Sequence, residues 1–353
     1  MAKRAKPEDI EEPDRIEGHP HPRETMHLVG QGKALSIAAR AIRGGRPPQA
    51  WLISGPPGIG KATLAYRIAR YLLRYGATDG GPEDLAVAAN DAVSAQTIAA
   101  AHPGLLVLKR SPHPTTGKLM TVLSVDEIRR LGGFFGMTSG AGGWRVAIID
   151  TADDMNDQAA NALLKALEEP PSRAMLLLLA NAPGRLLPTI RSRCQRLDLR
   201  PLELSELDSE LAKRLPDLAP AKRKALAKLA GGSLGLALQL SGDDGLELAE
   251  AAERLIDGAS NPDFTAVFAM AEKIARMGDG IDTFGEFFIQ ALSERILSKA
   301  RVEVGNTPLN RWIDLREQLI RNFARSSALH LEPKQTVLST ARALSKTARS
   351  TPL

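Results

Sequence analysis

The sequence predicts an α/β domain built on a five-stranded parallel sheet, followed by a small helical domain and a larger all-helical one. Three observations lead there. From about Met26 to residue 200, short β-branched or leucine-rich runs alternate with helical patterns, the sign of a parallel sheet covered by helices. A glycine-rich phosphate loop follows the first of those runs. Beyond Pro201 the strand signal stops, and apolar residues recur at helical spacing only.

The chain has 353 residues with 46 Lys+Arg against 41 Asp+Glu, a net charge of +5. At roughly 100–200 residues per domain this length predicts two or three domains, each able to bury a core. The single cysteine, Cys194, excludes an intramolecular disulfide, a CxxC redox pair and a multi-cysteine zinc site. No apolar run approaches the roughly 20 residues that span a bilayer, and Met1–Glu12 is charged with no apolar stretch, so neither a membrane span nor export is expected. A reducing, cytoplasmic setting follows. The modest net charge permits nucleic-acid contact without arguing for it.

Residues 1–24, proline-rich and mixed in charge, read as a flexible arm. The α/β domain is expected over 25–200, with strands at Ala50–Ser54, Leu105–Lys109, Arg145–Asp150, Met175–Ala180 and Gln195–Leu199. Leu176–Leu179 is apolar without alternation, as a strand buried on both faces requires. Asp157–Glu168 places Ala160, Leu163, Leu164 and Leu167 on one helical face, with Asn156 as N-cap and Pro170 as the stop. Residues 201–243 read as three short helices, Leu204–Leu215, Ala221–Leu229 and Leu234–Leu240. Residues 244–353 read as a third, helical domain in which the phenylalanines serve as core anchors: Phe264 and Phe268, then Phe284, Phe287 and Phe288, then Phe323 beside Trp312.

The sharpest local signal is Gly55-Pro56-Pro57-Gly58-Ile59-Gly60-Lys61-Ala62-Thr63, after a predicted strand and before a helical run. In such a loop the backbone N–H groups and the helix N-terminus surround phosphate oxygens, and Lys61 neutralises the outer phosphates. The pattern asks for Ser or Thr after the lysine to ligate magnesium, and Ala62 has no oxygen to offer. Thr63 lies roughly 100° further around the helix and does not substitute by sliding. Asp150, ending the third strand, supplies the acidic element expected near a nucleotide, but the next residue is Thr151, which cannot act as a carboxylate base. Asp153 and Asp154 read as solvated loop or capping residues.

These residues, with Trp144–Asp150, the stretch Asn161-Ala162-Leu163-Leu164-Lys165-Ala166-Leu167-Glu168-Glu169-Pro170-Pro171 and the segment ending in Ser192-Arg193-Cys194, resemble the clamp-loader branch of the AAA+ ATPases found in bacterial DNA polymerase III. The resemblance is strong over about residues 23–202 and architectural beyond. It implies an AAA+ P-loop domain, a helical lid and a C-terminal helical collar used for oligomerisation. The family's subunits form a five-subunit ring of motor ATPase subunits, delta and a further member, which loads a sliding clamp on primed DNA. ATP sites lie between subunits, so Arg193, flanked by Ser192 and Cys194, matches an arginine finger donated in trans. Fingers of this kind are worth roughly 10³–10⁵ in rate.

Two more positions set this chain apart from the hydrolysing members. Motor subunits carry Gly-Ser-x-Arg in the lid, and here Gly232-Ser233-Leu234-Gly235 ends in glycine. Ala62, Thr151 and Gly235 thus replace three hydrolysis elements, while the outward-serving Arg193 remains. The resemblance therefore implies a non-hydrolysing stator that completes a neighbour's site; the alternative, an ATP-hydrolysing motor subunit, is disfavoured at all three positions. ATP or ADP held without turnover stays open, since Gly55–Lys61 keeps the phosphate cradle and Asn181 falls at the position that senses phosphate. The family's small zinc module precedes a His-Pro, and His102-Pro103 is present, but Gly76–Ala101 has no cysteine, so no metal is expected. Lys213, Arg214, Lys222, Arg223, Lys224 and Lys228, with Arg295, Lys299 and Arg301, are candidate DNA-phosphate contacts.

Overall fold

The computed structural model describes residues 15–16, 18–111, 120, 122–136, 143–242, 244–277, 280–302, 309–329 and 331–351. The chain divides into two compact units, Met1–Gln239 and Leu240–Leu353.

In the first unit the elements run α1 (Gly32–Arg43), β1 (Ala50–Ser54), α2 (Lys61–Tyr75), α3 (Ala92–Ile98), β2 (Leu105–Leu108), α4 (Val125–Gly136), β3 (Arg145–Ile149), α5 (Asp157–Glu168), β4 (Ala174–Ala180), α6 (Pro188–Arg193) and β5 (Gln195–Asp198), then α7 (Leu204–Arg214), α8 (Pro220–Leu229) and α9 (Leu234–Leu240). All five strands pair in parallel, in the order β2-β3-β4-β1-β5. Register sets Trp51 beside Leu177 and Gln195, and Ala147 beside Leu176.

Strand periodicity divides the core into two layers. Trp51, Ile53, Leu177 and Leu179 face one way, packing with α1 and α2 through Ala38, Ile42, Leu64, Ile68 and Leu72. Leu52, Leu176 and Leu178 face the other way, packing with α4, α5 and α6 through Ile128, Leu131, Leu163, Leu167 and Ile190. All seven residues of β4 are buried, as a central strand with helices on both faces requires. Chain order reverses across β1, so the carboxyl ends of β1 and β4 open side by side, the place where open α/β sheets hold ligands.

The α5 boundaries match the sequence reading, and Asn156 caps the helix by accepting the Ala159 N–H at 2.9 Å. The arm expected over 1–24 ends earlier than its composition implies. Residues 1–14 and 17 lie outside the described residues, but His21 is fully buried and Arg70 donates to the carbonyls of Arg23 and Thr25 at 3.0 and 3.1 Å. The cause is α2: its buried Arg67 and Arg70 need carbonyl partners, and the incoming chain at Arg23–Met26 supplies them.

The second unit comprises α10 (Gly245–Asp257), α11 (Phe264–Arg276), α12 (Gly280–Val302), α13 (Asn310–Leu329) and α14 (Pro333–Ser350). Phe284, Phe288 and Phe323 form a buried triangle with ring centroids 5.8–6.3 Å apart. Trp312 is buried and donates its indole N–H to the Thr351 carbonyl at 2.9 Å, tying the end of α14 to α13. Two of the expected phenylalanine anchors are misplaced: Phe264 and Phe268 stand exposed on α11, whose buried stripe is Val267, Ala271 and Ile274. No described helix is long and apolar enough to cross a membrane.

Candidate functional site

The phosphate loop joins β1 to α2 at the sheet's carboxyl edge. Gly60, in the left-handed region, is the N-cap of α2, so the N–H groups of the first turn point toward the loop. Lys61, the first residue of α2, is buried and turned back onto its own loop. Its Nζ donates to the carbonyls of Gly55 at 2.9 Å and Pro56 at 2.7 Å, and to Oδ1 of Asn181 at 2.7 Å. These three acceptors use all three ammonium protons. Burial pushes the Lys61 amine down to about 8, against the opposing pull of the Asp150 and Asp153 carboxylates.

Asn181 follows β4, where its Oδ1 accepts from the lysine, a contact the sequence reading did not foresee. Its backbone N–H, with that of Ala182, is held by the carboxylate of Asp153 at 2.8–3.2 Å. This corrects the reading of Asp153 as solvated: the chain turns at Thr151 in the left-handed region, φ 49°, and carries Asp153 under the end of β4. Asp154 is half-buried, 3.7 Å from Arg110 and 3.6 Å from Arg185, and burial raises its pKa. Asp150 accepts the Thr151 N–H at 3.0 Å.

The loop's outer side is covered by the start of α9. The Ser233 hydroxyl donates to the Pro57 carbonyl at 2.8 Å, and Gly235 donates its N–H to the Gly58 carbonyl at 2.8 Å. The two glycine backbones touch: a Cβ at Gly235 would lie 2.7 Å from Gly58 Cα, and one at Gly58, where φ is +72°, 2.4 Å from Ser233 Oγ. Sequence reading saw Gly235 as a missing arginine; the structure shows a contact that a side chain would prevent.

Ser192, Arg193 and Cys194 end α6 on a different face. Cys194 is buried in the core layer shared with α4, α5 and α6, its thiol pushed up to about 11 by burial and so held protonated. The Ser192 hydroxyl donates to the Thr189 carbonyl at 3.1 Å. Arg193 is exposed; it donates to the Thr189 carbonyl at 3.1 Å and forms an ion pair of 2.9 Å with Glu168, the last residue of α5. Sequence reasoning missed Glu168 as a partner, although it lies inside one of the motifs that carried the resemblance.

His102 accepts the Gly104 N–H at 3.0 Å on Nδ1, a turn-forming role, and burial lowers its pKa. Of the basic residues proposed for DNA, Lys213 and Arg214 pair with Glu210, Arg223 with Asp208, and Arg295 with Glu253 and Asp257. Lys222, Lys224 and Lys228 are exposed along α8, and the side chain of Arg301 lies outside the described residues.

Comparison with known proteins finds relatives of the segment that carries this site. Residues 30–203 match the family model described as DNA polymerase III, delta subunit. DNA polymerase III subunit delta' of Pseudomonas aeruginosa is 38% identical over 203 residues, 56% of this chain and 58% of that protein; its Escherichia coli counterpart is 33% identical over 210 residues, 60% and 59% of the two chains. DNA polymerase III subunit tau of Escherichia coli is 27% identical over 232 residues, 62% of this chain and 33% of that protein. The matched part thus spans under two thirds of each relative's length. A crystal structure of a gamma subunit-related protein from Thermotoga maritima covers 89% of this chain and 99% of that one, at 19% identity and a TM-score of 0.46. Over residues 30–203 this chain is thus similar to the DNA polymerase III delta-subunit family, and the relatives it matches there include delta' subunits.

Proposed function

We propose that this protein is a non-hydrolysing stator of a clamp loader, a subunit that donates Arg193 to a neighbour's ATP site while hydrolysing nothing itself. The observation carrying this reading is an asymmetry within one domain. Positions 62, 151 and 235 have lost the groups that hydrolysis needs, yet Arg193 stands exposed on a short helix anchored by buried Ile190 and Cys194. A guanidinium on a rigid, accessible helix end suits the stabilisation of charge developing on a γ-phosphate across an interface.

The phosphate loop supports a passive role. Ala62 offers no metal ligand and Thr151 no carboxylate base. The α2 N-terminus keeps the donors a phosphate needs, so ATP or ADP held without turnover belongs to this reading, with Lys61 exchanging its loop carbonyls for phosphate oxygens. The partners are motor subunits of the tau or gamma kind and a delta subunit in a five-membered ring, acting on a sliding clamp and primed DNA in the cytoplasm. Contacts to DNA fall to Lys222, Lys224 and Lys228, since the other cations of α7 and α8 are spent on Glu210 and Asp208.

The test is the DNA-stimulated ATPase of the reconstituted complex carrying Arg193→Ala in this chain. Loss of the turnover contributed by one site is expected; hydrolysis by the purified chain alone would overturn the reading.

A further inference from the structure

We infer that Glu168 is a positioning residue for Arg193, holding the guanidinium where a neighbouring subunit's nucleotide meets it. This rests on the reading of Arg193 as a finger, and adds the residue that aims it. Glu168 ends α5 and Arg193 ends α6, and both helices sit on the same core layer through Leu163, Leu167, Ile190 and Cys194. The Glu168 Oε1 is 2.9 Å from Arg193 NH2, while Arg193 NH1 donates to the Thr189 carbonyl at 3.1 Å.

The two contacts grip the guanidinium from two sides. Thr189, the second residue of α6, offers a carbonyl that takes the Ser192 hydroxyl as well as the guanidinium, one turn back along the same helix. Glu168 comes from another helix, so the side chain is fixed against the fold and not only against its own turn. Two of the five guanidinium protons are used, leaving three, including Nε–H, for an incoming anion. Glu168 is 51% and Arg193 38% exposed. A pair this open to water is weak enough to be shared with or surrendered to a phosphate, yet it restricts a long side chain that would otherwise sample many rotamers. The abrupt stop of α5 at Pro170-Pro171 fixes where the carboxylate sits.

The experiment uses the complete reconstituted complex with clamp and primed DNA, and reads the part of the ATPase that Arg193→Ala removes. Glu168→Ala is expected to lower the kcat of that part about twofold to fivefold, the factor a partly exposed ion pair converts to, with KM for ATP unchanged. Glu168→Gln, which keeps an acceptor oxygen, should recover part of the loss, and Glu168→Ala should change nothing further in the Arg193→Ala background. Equal rates for Glu168→Ala and wild type at equal assembly, or a faster rate from an untethered finger, would overturn the assignment of Glu168. No effect of Arg193→Ala would instead remove the finger reading itself.

Discussion

Gly235 donates its backbone N–H to the Gly58 carbonyl at 2.8 Å, and the two residues approach so closely that neither position has room for a Cβ. The phosphate loop is thereby fastened to the first turn of α9, with Ser233 bonding Pro57 alongside. In a subunit that turns over nucleotide, the residue at this place in the lid is an arginine that reports on the phosphates. Here the same place is given to contact between backbones, which ties the loop's position to α9.

Gly235→Ala should therefore destabilise the first unit by about 1–3 kcal/mol, the usual cost of forcing extra volume into a packed contact. Urea denaturation followed by circular dichroism reads it. An unchanged midpoint would mean that loop and helix separate freely, and the fastening would have no energetic content.

Asp153 is a buried carboxylate whose oxygens hold the N–H groups of Asn181 and Ala182. Asp153→Ala leaves both donors unpaired beneath the end of β4 and should cost about 1–3 kcal/mol. It should also loosen Asn181 from Lys61, visible as faster hydrogen exchange at 181 and 182. Wild-type exchange at those two amides would show that water replaces the carboxylate without loss.

Lys61 makes a pH prediction whose sign follows from proton counting. Its amine titrates at about 8 in the folded chain, against an ordinary value of 10.5. Between these values the unfolded chain holds a proton that the folded chain has released, so this group makes unfolding free energy rise with pH across that window. Below about 8 both states are protonated and the slope vanishes. In Lys61→Met the slope is absent, so the stability difference, wild type minus variant, should grow from pH 8 to pH 10. A difference flat with pH would place the folded-state value near that of a free lysine.

Much of the α/β unit was legible because its signals are local and redundant. The Leu176–Leu179 run, the glycine loop after Ser54 and the Asn156 cap each require only a few neighbouring residues to be interpreted, and each lies where expected. The second unit was harder. α14 escaped notice because hydroxyl residues occupy part of its buried stripe: Thr336 pairs with Ser326, and Thr340 bonds back to the Thr336 carbonyl, so polar side chains stand where a periodic apolar pattern would be sought. Phe264 and Phe268 misled in the opposite direction, since a phenylalanine at helical spacing does not reveal which face of its helix is covered. At the site, Ala62 and Thr151 could be interpreted from type alone. Asp153, Glu168 and Gly235 could not, because each derives its role from a residue at least 25 positions away in sequence.

The most direct measurement is the DNA-stimulated ATPase of the reconstituted complex, comparing wild-type chain with Arg193→Ala after equal assembly is verified by size-exclusion chromatography. A marked fall in rate with intact assembly is predicted, because one nucleotide site loses the guanidinium that stabilises its transition state. An unchanged rate would contradict it, leaving Arg193 as the exposed partner of Glu168 and this chain as a spacer that completes no active site.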